Sequence, residues 1–414
     1  MKKYIIIWGG PAWATLGNFL IKNWIRNVTI IEKEKFPRHH IWESIQPDIL
    51  DFLEKIWIDK NIFNKIFPKK YWAIYKWWKY NYKWSVLYSK ELDDKWSNNE
   101  EIFDLDQYEH GYNVDRSIFD KILLDDFINN WWKIIYNEVK DLVINNNLIK
   151  KIIFSNWEEL SWDIFIDASW QNSIISYKLK LKIYDKFLRN SSIYGYYKWY
   201  KSIDNKLKKY FQYIENIWDC WYWWIPTSEE IVSVWIVFNS SRKYNDKDFF
   251  YKLKNTEIYS SINEADLVDY NGNKTTKLNY IWDWSFLSKK AYWNNWYLLW
   301  DSFWFVDPIL SGWVSFAMEK AIFLWRLLIL IEKNLNKKNL INKKYELVYK
   351  NDVLKYLKMA YLWYENWNSK EKWIEESGWS KRNFINFISG WERFLNKSKI
   401  FQDWQNDRIL KNLI

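Results

Sequence analysis

The chain has 414 residues, 49% of them hydrophobic and 27% charged, with a net charge of +10, the make-up of a folded globular protein rather than a disordered or fibrous one. The basic residues are scattered, with no cluster and no nucleic-acid motif, so lysine-rich codon bias explains the charge and nucleic acid is not expected as a partner. The single Cys220 excludes a disulfide framework and fits a reducing cytoplasm, and three histidines are too few to expect a metal site.

In chain order, Tyr4 to Ile7 is a short β-branched run that predicts a buried parallel strand. Pro11 to Asn23 predicts a helix with proline in its first turn. Val28 to Ile31 predicts a second strand, which ends on Glu32. The acidic residue falls about 20 positions beyond the turn, the spacing of a ribose-binding carboxylate in a βαβ dinucleotide site. Short aromatic strands between about 60 and 110, "YWAIYKWWKYNYKWSVLY", predict an antiparallel insertion. "DRSIFDKILLDDFINN" predicts an amphipathic helix, and "KIIYNEV", "DLVINNNLIKKIIFSN" and "DIFIDAS" predict strands and hairpins. A second antiparallel block contains "YWWIPTSEEIVSVWIVF". The chain then returns to strand, loop and helix from Tyr297, and the tail from about Lys333 is expected to be helical. The apolar stretch from Ala321 to Ile331 is interrupted by Arg326 and is too short to span a membrane. "MKKYIII" runs straight into a strand and is not read as a signal peptide.

One residue pair is abnormal. The chain carries 35 Trp and 9 Gly, where usual composition calls for roughly 7% Gly, about 29 residues. Several tryptophans stand where glycine is expected. Trp24 and the pair Trp131 and Trp132 each follow a helix and precede a strand, a cap position that favours left-handed backbone. In "YIIIWGGPAWAT", Trp8 holds the tight-turn position and Trp13 the helix–strand contact position of a glycine fingerprint. Gly9, Gly10, Pro11 and Ala12 lie between them, where backbone amides at a helix start meet a pyrophosphate. Read literally, the two indoles fill the volume that the phosphates need. Some bacterial lineages read the UGA codon as glycine while a common alternative table reads it as tryptophan, so most of these tryptophans are expected to be glycines in the cell. If they are genuine, the expected protein is a non-catalytic scaffold.

With glycine at 8, 13, 42, 170, 300, 304 and 313, the opening and the segments "FPRHHIWESIQP", "NVDRSIFD", "DIFIDASWQNS" and "WDSFWFVDPILSGWVSFA" resemble the flavin-dependent halogenases of the FAD-monooxygenase superfamily. The resemblance runs from residue 3 to about 325, with a looser match around "NFINFISGWERF". It implies an α/β fold: a discontinuous Rossmann-type FAD-binding domain (1–60, 105–175 and 290–330), an interleaved antiparallel-sheet substrate domain (61–104 and 176–289) and a helical C-terminal region (331–414). Trp8 to Trp13, Glu32, Arg38, Glu43, Ser44, Arg116, Asp301 and Pro308 are then expected along the FAD. His39 and His40 are expected at the surface or beside the flavin. Ser311, Gly312 and Trp313 would hold chloride or bromide.

"FPKKYWA" is similar to a stretch of halogenases that act on carrier-tethered pyrroles, and this implies Lys70 as the catalytic residue, with Lys76 as second choice. In that family reduced flavin, O₂ and halide give hypohalous acid, which the lysine presents to an electron-rich ring. A desolvated lysine is partly neutral near pH 7, which suits that task. Trp221, Trp223, Ile225 and Pro226 match a Trp-x-Trp-x-Ile-Pro signature thought to keep substrate and flavin apart. Trp223 and Pro226 carry the match whether or not Trp221 is read as glycine. The implied partners are a separate flavin reductase and an aromatic small molecule, free or tethered to a carrier protein. A non-halogenating hydroxylase or isoprenoid reductase of the same superfamily is the alternative enzyme.

Overall fold

The computed structural model describes residues 2–8, 10–22, 25, 27–77, 82–87, 102–103, 110–129, 133–205, 207, 210–282, 284–307, 309 and 311–365. Gly9, Trp24, Trp131, Trp132, Pro308 and the "NFINFISGWERF" segment lie outside them.

The β-branched opening forms the strand Tyr4–Ile7, and every residue of it is buried. It is the middle of a five-stranded parallel sheet with Val28–Glu32 and Lys133–Tyr136 on one side and Ile164–Asp167 and Trp296–Leu298 on the other. A parallel sheet needs crossover connections that cover its faces. Helix Pro11–Lys22 packs against helices Arg116–Asn129 and Trp313–Lys333 and supplies that cover. A three-stranded antiparallel sheet, from Val139–Asn145 to Glu159–Leu160, is inserted before the strand Ile164–Asp167.

A second, larger sheet lies mainly in residues 190–281. Its central strands Asn190–Lys198, Ile231–Asn239, Cys220–Pro226 and Phe211–Ile217 pair antiparallel in that order. The expected antiparallel pairing within 60–110 is present between Trp72–Trp77 and Tyr82–Leu87, with two parallel pairings added. Strand Trp72–Trp77 joins the same sheet parallel to Phe211–Ile217, and Tyr82–Leu87 pairs parallel with Ile102–Phe103. More than a hundred residues separate the first two strands, and such a long connection permits parallel pairing where a hairpin would not.

The period of two decides what each face of this sheet does. Along Cys220–Pro226, Trp221, Trp223 and Ile225 enter the core shared with the parallel-sheet domain. Tyr222 and Trp224 enter a second core against Phe249, Leu253 and Ile258. A small sheet of Ser44–Ile45, Gly111–Asn113 and Lys69–Lys70 is a separate element of the fold.

Helix Lys338–Glu365 packs on helix Trp313–Lys333. Among the described residues no helix is long and apolar enough to cross a membrane. The two helices are pinned by a buried charge: Lys320 Nζ pairs with Asp352 and with Glu319 Oε1 at 3.2 Å, while only 4% of the Lys320 side chain is exposed. Both carboxylates hold its proton on. Removing one partner of a buried pair leaves charge uncompensated. Asp352→Ala is therefore expected to lower stability by roughly 3 kcal/mol, seen as a lower urea midpoint with an unchanged slope.

Candidate active site

Strands of the parallel sheet end on one edge, and an open sheet of this kind binds ligands in the crevice outside those carboxyl ends. A cleft of about 410 Å³ lies there, lined by Ile7, Trp8, Ile31, Lys33, Asn137 and Ser169 among others. Glu32 ends its strand 1% exposed, accepts from the Glu34 amide at 3.0 Å and faces Arg38 Nε at 3.4 Å. Arg38 Nη2 is buried with no acceptor, a donor suited to an anion. Trp8 also lines a second space of about 40 Å³ with Gly10, Pro11, Ala12, Trp13, His40, Trp42, Arg116, Trp170, Asp301 and Trp313. Of the sequence-predicted cofactor residues, Trp8, Gly10, Pro11, Ala12, Trp13, Arg116 and Asp301 line these spaces, whereas Glu32, Arg38, Glu43 and Ser44 are not among the lining residues. Gly10 needs its missing side chain less for packing than for access, because a Cβ there would meet nothing within 4 Å.

Asp301 Oδ1 is buried without a donor, and burial pushes its pKa well above the usual carboxylate range. A ligand hydroxyl would supply the missing donor. Arg116 lines the same space while its guanidinium holds Asp120 at 2.9 and 3.1 Å and donates to the Ile41 carbonyl. It serves as a salt bridge and as a wall of the site together. His40 lines the space too, and burial drives its pKa well below the ordinary value, so the ring is neutral. His39 stacks on Tyr270 with its pKa lowered to about 4. Glu43 sits differently from expectation: its Oε1 accepts from Tyr196 at 2.8 Å and Ser233 at 3.2 Å, so it ties this segment to the large sheet.

The polar frame fits FAD, but the side chains as written do not. Drug-sized ligands fill roughly 300 to 1,000 Å³, and the space beyond Trp8 is about 40 Å³. Indoles take up the remainder. Trp300 lies 4.9 Å from Trp304 and 5.6 Å from Trp313, and Trp42 stacks on Phe305 at 5.5 Å. Trp8, Trp42, Trp170 and Trp300 also have φ of 79°, 74°, 52° and 49°, in the left-handed region. Trp13, in a helix, fills the contact between helix and sheet and is 1% exposed.

Lys70 is fully buried on its two-residue strand, and burial alone lowers its pKa to about 7. Its Nζ donates to Ser44 Oγ at 3.1 Å. Ser44 in turn donates to Gln212 Oε1, and Ser311 Oγ donates to that same oxygen at 3.3 Å. The lysine and the halide turn, named from segments some 240 positions apart, are joined through two side chains. Gly111 makes this possible: a Cβ there would run into the Ile45 carbonyl and approach Lys70 Cε at 3.2 Å. At Gly312 a Cβ would meet Phe316 and, at 3.1 Å, Gln46 Oε1. Lys76 belongs elsewhere. Glu215 and Glu257 hold it at 2.9 and 3.0 Å and raise its pKa, so it stays a paired cation.

Trp221 and Trp223 lie side by side at 5.9 Å, and Pro226 ends their strand. The Trp221 indole donates to Tyr364 Oη at 3.0 Å, and Tyr364 donates to Asp307 Oδ2 at 2.9 Å. Asn190 donates to Asp307 as well, and burial raises the Asp307 pKa to about 6. Trp313 Nε1 donates to the Asp307 carbonyl at 2.9 Å. The Trp-x-Trp strand is therefore bonded to the loop that leads into Ser311. Sequence reasoning missed Gln212, Asp307 and Tyr364. Gln212 is one of three polar residues in the strand Phe211–Ile217, and its partner Ser44 is 168 positions away; only pairing in space marks it.

No family model matches the chain. It is 25% identical over 348 residues to a 1H-pyrrole-2-carbonyl-(peptidyl-carrier protein) chlorinase of Pseudomonas fluorescens, covering 77% of this chain and 73% of that one. It is 22% identical to a tryptophan 2-halogenase of Chondromyces crocatus and 24% to the flavin-dependent halogenase ptaM of Pestalotiopsis fici, and it spans 59% and 61% of their lengths. The flavin-dependent brominase Bmp2 superposes with a TM-score of 0.81 at 17% identity, covering 97% of this chain and 98% of that one. Halogenase PltM, solved with phloroglucinol and FAD, gives 0.75 at 16%, covering 100% and 85%. In sequence and in fold alike, the chain is similar to flavin-dependent halogenases.

Proposed function

We propose that the protein is an FAD-dependent oxidoreductase that halogenates an electron-rich aromatic substrate, consuming reduced FAD, O₂ and chloride or bromide. The observation that carries this reading is the buried Lys70–Ser44–Gln212–Ser311 cluster, set beside a dinucleotide frame in a chain of halogenase fold. The flavin would supply the oxidising power, bounded by Glu32, Arg38, Arg116 and Asp301 once the cleft is open. Lys70 offers what an electrophilic halogen needs: with its pKa near 7, a large share of the amine carries a free lone pair at neutral pH. Ser44 and Gln212 fix where that amine points. Trp221 and Trp223, buried side by side, would form a flat, rigid wall between substrate and flavin. The likeness to the peptidyl-carrier chlorinase supports a substrate tethered as a thioester, and a separate reductase would provide the reduced flavin.

Lys70→Ala is expected to lower halogenation by roughly 10²- to 10⁴-fold while leaving FAD binding intact, measured by product mass spectrometry and flavin absorbance. Product that appears without halide, or a Lys70→Ala variant of full activity, would point to the hydroxylase reading instead.

Ser44→Ala tests the positioning cluster through pH. Ser44 accepts from the Lys70 ammonium and so favours the charged form. Its loss should move the inflection of the rate–pH profile below the value near 7 set by Lys70. Gln212→Leu should lower kcat with KM for the aromatic substrate little changed.

A further inference from the structure

Fourteen non-glycine residues among those described have positive φ, and eight of them are tryptophans: 8, 42, 57, 157, 170, 199, 218 and 300. Bulky residues almost never occupy this region, because their Cβ meets the neighbouring carbonyl. Asn146 and Asn147, in contrast, tolerate it. No property of an indole selects a left-handed backbone, so its concentration there needs another cause.

Four of the eight lie well away from the crevice, and each occupies a position whose chemistry specifies glycine. Trp57 follows helix Ile49–Lys55: its amide donates to the Glu54 carbonyl at 2.9 Å, and the Ile58 amide to the Leu53 carbonyl at 2.9 Å. These two bonds define a Schellman cap, in which the residue at Trp57 is normally glycine. Trp157 is the third residue of the hairpin loop between Phe154 and Glu158, closed by Trp157 N to Phe154 O at 3.0 Å and Phe154 N to Glu158 O at 2.9 Å. A three-residue loop of this type places glycine in its left-handed last position. Trp218 and Asp219 form a two-residue hairpin loop between the paired Ile217 and Cys220. Positive φ at the first loop residue alone is the type II′ turn, with glycine first. Trp199, at φ 65°, ends strand Asn190–Lys198. All four indoles stand at least 60% exposed.

The other four line or flank the cofactor crevice. The indole N–H groups of Trp8, Trp42 and Trp170 are buried with no acceptor, which native interiors rarely tolerate.

We propose that these eight residues are glycines in the protein the cell makes, encoded by UGA codons that its ribosomes read as glycine. The same structure identifies tryptophans that are real. Trp224 donates to Ser261 at 3.0 Å, Trp235 to Ser233 at 2.6 Å and Trp296 to the Asn147 carbonyl at 3.0 Å, all in extended strands. Trp221 joins them through Tyr364. These four are UGG-encoded indoles. At the crevice the inference supports the flavin reading, since it removes four of the indoles that crowd it, at 8, 42, 170 and 300. At 57, 157, 199 and 218 it stands without any reading of function.

The test is to read the codons and the masses of tryptic peptides from protein isolated from its native cells. Ile56–Lys60 reports position 57 alone. Tyr210–Arg242 carries position 218 beside 221, 224 and 235 and so contains its own control. The expected result is UGA and a glycine mass at all eight positions, with UGG and tryptophan at 221, 224, 235 and 296. UGG codons, or tryptophan masses, at two or more of the eight overturn the proposal. Flavin binding is scored separately on the protein with glycine at the eight positions. If that protein, with glycine also placed at 13, 304 and 313, shows no flavin absorbance after incubation with FAD, the FAD reading fails while the codon assignment stands.

Discussion

Everything at the crevice depends on how the chain leaves the parallel sheet. Strands Tyr4–Ile7, Ile164–Asp167 and Trp296–Leu298 are neighbours, and just beyond each the chain turns through left-handed backbone, at residues 8, 170 and 300. Such a turn reverses the chain within a residue or two and aims its amides outward from the sheet edge. It leaves room for a ligand against the backbone only where no Cβ projects. One backbone constraint thus sets both the geometry of the cofactor frame and the residue type it accepts. The indoles there, with those at 304 and 313, make the frame part of an aromatic core in which Trp300, Trp304, Trp313 and Phe305 pack together.

From that edge the site is assembled by reach rather than by sequence proximity. The turn before helix Trp313–Lys333 brings Ser311 to Gln212 of the large sheet, and Gln212 meets Ser44 of the small sheet, which holds Lys70. Three separate pieces of backbone meet on one amide oxygen. Parallel-sheet domain and large sheet are joined a second time by Trp221, Tyr364 and Asp307.

The sequence made the parallel-sheet domain legible because its signals are local. A β-branched run, a proline-led helix and Glu32 at the right spacing need no distant partner to be recognised. Lys70 and Ser311 were visible for a different reason, since each lies in a segment that resembles a halogenase segment. Their connection was not visible: Gln212 reads as an ordinary strand residue until the pairing with Trp72–Trp77 brings it under Ser44. The mixed direction of the large sheet was hidden likewise, as residue pattern reports which face is buried but not which way a neighbour runs. Lys76 and Lys70 are six positions apart and chemically identical in the sequence. Only burial and the carboxylates Glu215 and Glu257 separate them.

That separation is also a thermodynamic one. Burial holds Lys70 at about 7 against an unperturbed value of 10.5. A group depressed in this way contributes stability that is fully present above its unfolded value, is lost progressively as the pH falls from about 10.5, and is gone once the pH has passed through about 7. At neutral pH the fold therefore carries a lysine that would be more stably placed in water. Nothing in the packing of the small sheet requires an amine there, since an aliphatic side chain would fill the same volume without the desolvation cost. Gly111 and Ser44 nevertheless give it room and an acceptor. Lys76, a short distance along the chain, shows the cheaper arrangement, with two carboxylates holding its charge. A cost retained at one lysine and avoided at the other is what the role proposed for Lys70 requires.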